Sequence, residues 1–169
     1  MNKVAIYDSS FVVGLADEDD KWHTTALELH SSIKTKNLLI IYLDCVANEV
    51  LSVIAKRAEE KDKSSEFASK LTKFKELFPT EDITWSYGNV ERHYDEILKI
   101  MKESFGKLNF HDALICVVAK EMGIKYIVSF DEDFDSIKEL TRIYDKQSLE
   151  SLVHDKPNQP DRPNRPDMP

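Results

Sequence analysis

The sequence predicts an α/β protein, a three-layer α/β/α sandwich built around a central, mainly parallel sheet. Short apolar segments such as residues 38–43 (LLIIYL) alternate with longer segments whose apolar residues recur at helical spacing. The strand-like segments are apolar on both faces, which is typical of a parallel sheet covered by helices on both sides. A chain of 169 residues is long enough to bury one core of this kind.

The first half of the chain is predicted to hold two of these strands. In chain order, the predicted elements are a strand at 3–7, a helix opening near Ser9 or Ser10, a helix at 23–34, a strand at 38–43, a helix after Asp44 and a helix at 63–78. Serine and aspartate are favoured N-cap residues, and Pro79 is expected to stop the last of these helices.

The second half continues the alternation. In chain order, the predicted elements are a strand at 83–86, a helix at 90–101, a helix at 109–122, a strand at 126–130 and a strand at 140–144. The run Ala113–Ala119 is apolar all round and resembles a strand, but its length and the following Gly123 favour a buried helix.

The last residues have a different composition. A proline stands at every third position from Pro157 to Pro169, which matches the period of a polyproline II helix. We therefore divide the chain into a folded domain at 1–150 and a Pro-rich tail at 151–169. The tail is predicted to be disordered, with an extended arm that docks on a partner as the alternative.

Composition limits the function classes. The net charge of −8 argues against nucleic-acid binding through bulk charge alone, although a local basic surface or a metal-filled acidic cleft stays open. No apolar run approaches the roughly 18 residues that span a bilayer, and the N-terminus does not resemble a secretory signal. Cys45 and Cys116 lie in apolar segments, as reduced core thiols do. We expect a cytoplasmic protein with no membrane contact.

Four carboxylates are predicted to meet at one edge of the sheet. Asp8 and Asp131 each follow a strand, and Glu49 and Asp112 lie near the start of helices that follow strands. In parallel sheets these positions share the carboxyl edge, where ligands bind. Singly, each acid has an ordinary structural explanation, as a helix-terminus charge or a partner for a lysine. Together, beside apolar runs, they form a donor set suited to a hard divalent cation.

Other sites fit the sequence less well. The run at 131–142 begins like a calcium loop, but Ser136 stands where glycine is needed and Arg142 where glutamate is needed. A phosphoacceptor aspartate at the first strand end lacks its usual acidic or lysine partners. No serine lies in a G-x-S-x-G elbow, and His111 is interpreted as structural rather than as a base.

Four segments resemble the signature blocks of PIN-domain nucleases. They are VAIYDSSFVVGLADEDDKWH at 4–23, VANEVLSVIAKR at 46–57, FHDALICVVAKEMG at 110–123 and YIVSFDEDFDSI at 126–137. The blocks occur in the family's order and cover roughly residues 1–145. The resemblance implies the same α/β/α sandwich. It also implies an endoribonuclease that cuts single-stranded RNA with Mg²⁺ or Mn²⁺.

The resemblance also assigns roles to residues. It implies that Asp8, Asp112, Asp131 and Glu49 form the catalytic metal site. Ser10, Ser129 and Asp135 are expected to support it. Nearness to the acidic blocks makes Lys56, Arg57 and Lys107 candidate RNA contacts, with a solvated surface role as the alternative for each.

Many members of the family are toxins of VapBC-type toxin–antitoxin pairs, so an antitoxin protein and a homodimer are the implied partners. An RNA-processing nuclease outside such a pair, and a weakly active PIN-like interaction module, are the alternatives. A metal-binding α/β protein unrelated to nucleases requires the four blocks to be coincidence. Residues 62–85 are long for a minimal member and are expected to form a clip over the cleft or a dimer surface.

Overall fold

Five parallel strands form the centre of the fold in a computed structural model that describes residues 3–60 and 62–154. The strands are β1 (Val4–Tyr7), β2 (Leu39–Leu43), β3 (Ile83–Thr84), β4 (Tyr126–Val128) and β5 (Thr141–Ile143). The helices are α1 (Ser9–Ala16), α2 (His23–Thr35), α3 (Asp44–Glu60), α4 (Phe67–Leu77), α5 (Tyr87–Glu103), α6 (Phe110–Met122) and α7 (Lys146–His154). The predicted α/β class with a parallel sheet is confirmed.

The strand order β3-β2-β1-β4-β5 places the first strand in the middle of the sheet. From β1 the chain moves outward on one side through β2 and β3, and β4 then pairs with the opposite side of β1. The direction of winding therefore reverses between β1 and β4. In open parallel sheets, ligands bind in the crevice at the carboxyl ends of the strands on either side of such a reversal.

Helix α6 contains a long continuous run of buried residues. Its residues from Asp112 to Ala119 are all buried, as the apolar run predicts. Asn109 caps its N-terminus, and Gly123 closes its C-terminus in the left-handed conformation at φ 66°, where glycine carries no Cβ penalty. The helix start is therefore held firmly at the carboxyl edge of the sheet.

Several element boundaries differ from those predicted. The N-cap of α1 is Asp8, whose side chain accepts a hydrogen bond from the Ser10 backbone, rather than either serine. Helix α5 begins at Tyr87, three residues early, and has a non-helical backbone at His93. In β2, Leu39 is half exposed rather than buried, because only β3, a two-residue strand, lies beyond it.

The C-terminal helix α7 was not predicted. Its amphipathic face places Leu149 and Leu152 in the core, and it spans the expected domain boundary at residue 150. The predicted tail lies outside the described residues from position 155 onward, so its disorder stays a prediction.

The segment after α3 contacts other parts of the same chain through ion pairs. Lysines of this segment reach the acidic loop between α1 and α2, where Lys70 pairs with Asp17 at 2.6 Å and Lys73 with Glu18 at 2.9 Å. Helix α4 also contacts α3. The predicted role of residues 62–85 as a clip or dimer surface stays a prediction.

Both cysteines are buried free thiols, as expected. Burial raises the pKa of Cys45 to about 12 and the pKa of Cys116 to about 12, so neither is a reactive thiolate at neutral pH. Within residues 3–60 and 62–154, none of the helices combines the length and apolar character that a membrane span requires.

Candidate active site

Asp8 is the buried centre of the site. It follows β1 directly, its side chain is almost inaccessible, and its backbone N–H donates to the Val128 carbonyl of β4. Burial raises the pKa of its carboxyl, and hydrogen bonds from Ser10 and Ser129 act against that rise. Asp8 thus joins the two strands on either side of the winding reversal.

Two serine hydroxyls fix the orientation of Asp8. Ser10 Oγ donates to Asp8 Oδ2 at 2.6 Å and Ser129 Oγ donates to the same oxygen at 2.7 Å. The two hydroxyl oxygens are 3.2 Å apart. Both bonds go to Oδ2, while the Ser9 hydroxyl lies 3.5 Å from Oδ1.

The same serines connect Asp8 to the segment after β4. The backbone N–H of Phe130 donates to Ser10 Oγ at 3.0 Å, and that of Asp131 donates to Ser129 Oγ at 2.9 Å. Asp131 in turn caps the short 3-10 helix Glu132–Ser136 by accepting from the Asp133 backbone. This network therefore sets where Asp131 lies relative to Asp8.

Asp112 lies in the first turn of α6. Its Oδ2 accepts from the Asn109 backbone N–H at 2.8 Å, and the Asn109 side chain accepts from the Asp112 backbone, which completes a capping box. Burial, together with the charges of Asp8, Glu49 and Asp131, raises the pKa of Asp112 to about 7. Four carboxylates from four segments therefore act on one another electrostatically.

Glu49 approaches the site from α3. Its Oε2 lies 3.6 Å from Nδ1 of His111, too long for a hydrogen bond, and is buried without a hydrogen-bond partner. His111 lowers the pKa of Glu49, while Glu49 raises the pKa of His111. The pairing therefore favours the ionised form of Glu49 and the protonated form of His111.

The donor set suits a hard divalent cation. Its members are carboxylates: the Oε2 atom of Glu49 is buried without a hydrogen-bond partner, and burial together with like charges raises the pKa of Asp112. Among the described residues, no three His, Cys, Asp or Glu side chains are arranged to hold a metal ion directly. Mg²⁺ commonly binds proteins through one or two carboxylates and keeps several waters, so the residues fit such an ion without three direct ligands.

The other predicted residues lie at the margin of the site. Both oxygens of Asp135 accept from Arg142, at 2.8 and 2.7 Å, so its carboxylate is already occupied. Arg57 donates to Asp17 and Asp20, and an RNA contact would have to compete with these two carboxylates. Lys56 is exposed and pairs with Glu60 at 3.7 Å, while Lys107 is exposed in the turn before α6.

Three residues of the site were not singled out as functional by the sequence. Asn109 positions Asp112, His111 pairs with Glu49, and Arg142 holds the 3-10 helix and donates to the Ser129 carbonyl at 3.4 Å. The position of His111 next to Asp112 was the one available signal. Arg142 and Asp135 lie only seven residues apart, but that spacing does not identify an ion pair in a segment that is not one regular helix.

The chain matches a family model described as the PIN domain over residues 5–140. No significant match was found among functionally curated proteins.

Solved structures with a similar fold come from bacterial toxin–antitoxin systems. VapC20 of Mycobacterium tuberculosis, a sarcin-ricin loop cleaving toxin, matches with a TM-score of 0.60 at 16% identity, over 80% of this chain and 95% of that one. A chain of VapBC2 from Rickettsia felis, bound to a promoter DNA fragment, gives 0.57 at 18% identity, over 83% and 97%. A chain of DNA-bound VapBC from Salmonella typhimurium gives 0.56 at 12% identity, over 85% and 98%.

Proposed function

Because the chain belongs to the PIN domain family, we propose that it is a divalent-metal-dependent endoribonuclease that hydrolyses phosphodiester bonds in single-stranded RNA. The observation that carries the proposal is the set of four carboxylates at the winding reversal of the sheet, where burial and the charges of the other three raise the pKa of Asp112. The VapC fold of the similar structures supports the same reaction class.

Asp8, Asp112, Asp131 and Glu49 are the proposed residues for holding Mg²⁺ or Mn²⁺. When bound, the ion would supply a Lewis acid and an activated water for attack on the scissile phosphate. The protein's own contribution is positioning: Ser10 and Ser129 hold the Asp8 carboxylate.

Glu49 has a distinct proposed role. Its pairing with His111 keeps it ionised, and its buried Oε2 is available to accept a proton or hydrogen bond from a water at the site. Lys107 and Lys56 are proposed to contact RNA phosphates, since both are exposed near the acidic segments. Arg57 is a weaker candidate because of its bonds to Asp17 and Asp20.

The proposal is tested by incubating the protein with a mixed, largely single-stranded RNA pool in Mg²⁺ or Mn²⁺, beside an EDTA sample. We expect cutting that requires metal and that Asp112→Asn lowers by at least about 100-fold, because the variant removes one charge from the donor set. Asp95→Asn, the same change at an exposed position of α5, is the matched control and should cut like wild type.

Two negative results would lead to different conclusions about the function. Wild-type protein that is folded and binds metal but cuts nothing would favour the PIN-like interaction module. Protein that neither cuts RNA nor binds metal would refute the proposed site.

We further propose that the chain is the toxin of a VapBC-type pair and forms a homodimer, with an antitoxin that covers the acidic cleft through a basic side chain. Co-expression with the product of the adjacent reading frame should yield a stable complex in which RNA cutting is inhibited. Light scattering of the free protein should give twice the chain mass. Failure to recover a partner would favour the RNA-processing role, and a monomeric mass would refute the dimer.

A further inference from the structure

Two large aromatic side chains are exposed directly after β3, at the carboxyl edge of the sheet. Trp85 is 57% exposed and Tyr87 is 72% exposed. Their rings are nearly parallel, with centroids 6.0 Å apart and an interplanar angle of 13°. Burial of apolar surface therefore does not explain their positions, and exposed aromatic clusters commonly mark interaction sites.

Hydrogen bonds to the first residue of α3 hold the backbone between the two rings. Ser86 is buried, and both its backbone N–H (2.9 Å) and its hydroxyl donate to Oδ1 of Asp44, the first residue of α3. Because this anchor fixes residue 86, its neighbours Trp85 and Tyr87 are held at the surface. The backbone that carries the rings is thus preorganised, which lowers part of the entropy cost of binding a ligand there.

A cavity of about 500 Å³ extends from these rings to His111. Its wall includes Trp85, Tyr87 and, at the start of α6, Phe110 and His111. His111 is also the residue whose imidazole lies 3.6 Å from Glu49. One side chain therefore borders both the cavity and the proposed catalytic centre.

An exposed lysine in the cavity wall can contact a phosphate of a nucleotide strand. Lys75 lines the cavity, is exposed, and has no ion-pair partner within residues 3–60 and 62–154. Asp44, which also lines it, is already engaged by Ser86. The chain as a whole carries a net charge of −8, so phosphate attraction alone is a poor source of RNA affinity. Stacking of bases on aromatic rings supplies affinity that does not depend on net charge.

We propose that Trp85 and Tyr87 form a stacking platform for unpaired bases of an RNA strand whose backbone passes His111 toward the carboxylates. The inference rests on the proposed nuclease function and adds to it a substrate subsite. The platform selects single-stranded RNA, because bases paired within a duplex do not present free faces to protein rings.

The direct test uses the fluorescence of Trp85. The chain has two tryptophans, so Trp22→Phe leaves Trp85 as the only one, and Asp112→Asn in the same protein prevents cutting during the titration. The probes are RNA hexamers of adenosine and of uridine, and an abasic hexamer with the same backbone charge. We expect the two base-containing hexamers to quench Trp85 and the abasic hexamer to leave its emission unchanged.

Variants separate stacking from nonspecific effects. Tyr87→Ala should weaken hexamer binding by about tenfold or more, as loss of one stacked base does, while Tyr87→Phe should retain it. Trp85→Ala, followed by anisotropy of labelled RNA, should weaken binding similarly. Leu27→Ala removes an exposed apolar side chain from α2 and is expected to leave binding unchanged.

Three results would overturn the platform. The abasic hexamer could quench as strongly as the others, or both alanine variants could bind RNA within twofold of their parent. Light scattering could instead show that the alanine variants split a dimer while RNA affinity stays the same, which would make the surface an interface between copies.

The two proposals fail separately. If wild-type protein cuts no RNA but base-dependent quenching persists, the nuclease is refuted and the platform stands. If wild-type protein cuts RNA with metal and the alanine variants bind and cut equally well, only the platform is refuted.

Discussion

At Asp112, burial and the charges of three nearby carboxylates act in the same direction. They raise its pKa from an ordinary 3.8 to about 7, so the folded protein binds a proton that the unfolded chain releases at much lower pH. The stability associated with that proton is fully present below pH 3.8 and is lost as the pH rises through about 7. Metal-free wild type should therefore become less stable between pH 5 and pH 8.

Replacing Asp112 with asparagine removes this titration but keeps an oxygen that can accept from Asn109. One pKa unit corresponds to about 1.4 kcal/mol. Raising the pH from 5 to 7 can therefore lower the unfolding free energy of wild type by at most about 3 kcal/mol through this group. Water at the cleft reduces this loss. We expect the unfolding free energy of Asp112→Asn, relative to that of wild type, to rise by about 1–2 kcal/mol between pH 5 and pH 8. Urea unfolding in EDTA at both pH values measures the gain.

Asp95→Asn serves as the control, since its stability relative to wild type should not change with pH. A constant difference between Asp112→Asn and wild type across this range would contradict the assigned environment. Adding Mg²⁺ at pH 8 should stabilise wild type more than the variant, because a bound cation favours the ionised carboxylate.

At the scale of elements, the loop between α1 and α2 depends on Asp17 for its attachment to α3 and α4. Asp17 is almost fully buried and accepts from Lys70 at 2.6 Å and from Arg57 at 3.0 Å. Burial raises its pKa, but these two hydrogen bonds outweigh burial and leave the pKa lowered. Two separate helices are therefore held by one carboxylate.

Asp17→Ala should destabilise the protein by roughly 2–4 kcal/mol, because it leaves Lys70 and Arg57 without their shared buried partner. The midpoint of urea unfolding measures the loss. Glu18→Ala is the matched control, since the neighbouring Glu18 pairs with Lys73 at an exposed position and its removal should change stability little. Equal effects of the two variants would show that Asp17 acts only as a surface charge.

The elements also show which parts of the fold can be predicted locally. The long periodic helices and the buried run of α6 follow from spacing alone, because a packed helix needs its apolar residues at fixed intervals. The strand ends are less well predicted: β4 is three residues rather than five, because Ser129 and Phe130 turn toward the Asp8 network. Helix α7 was missed because its apolar face is short.

At the scale of the whole molecule, the sequence predicts which acids share the carboxyl edge of the sheet but not which residues they contact. The carboxyl ends of parallel strands share one edge, so the nearness of Asp8 and Asp131 follows from the fold class. The partners of these acids do not follow from it. The contact of His111 with Glu49 joins residues of α6 and α3 that lie far apart in the chain, and no local pattern encodes it.

The central position of β1 has a consequence for biosynthesis. The hydrogen bond from Ser129 to Asp8 joins residues 121 positions apart, so β1 cannot complete the proposed site until β4 has also been synthesised. A nascent chain that has not yet reached Tyr126 lacks the strand that positions Asp131. The proposed metal site therefore cannot assemble on a ribosome before Asp131 has been made, which would delay the proposed cutting of RNA near the site of synthesis.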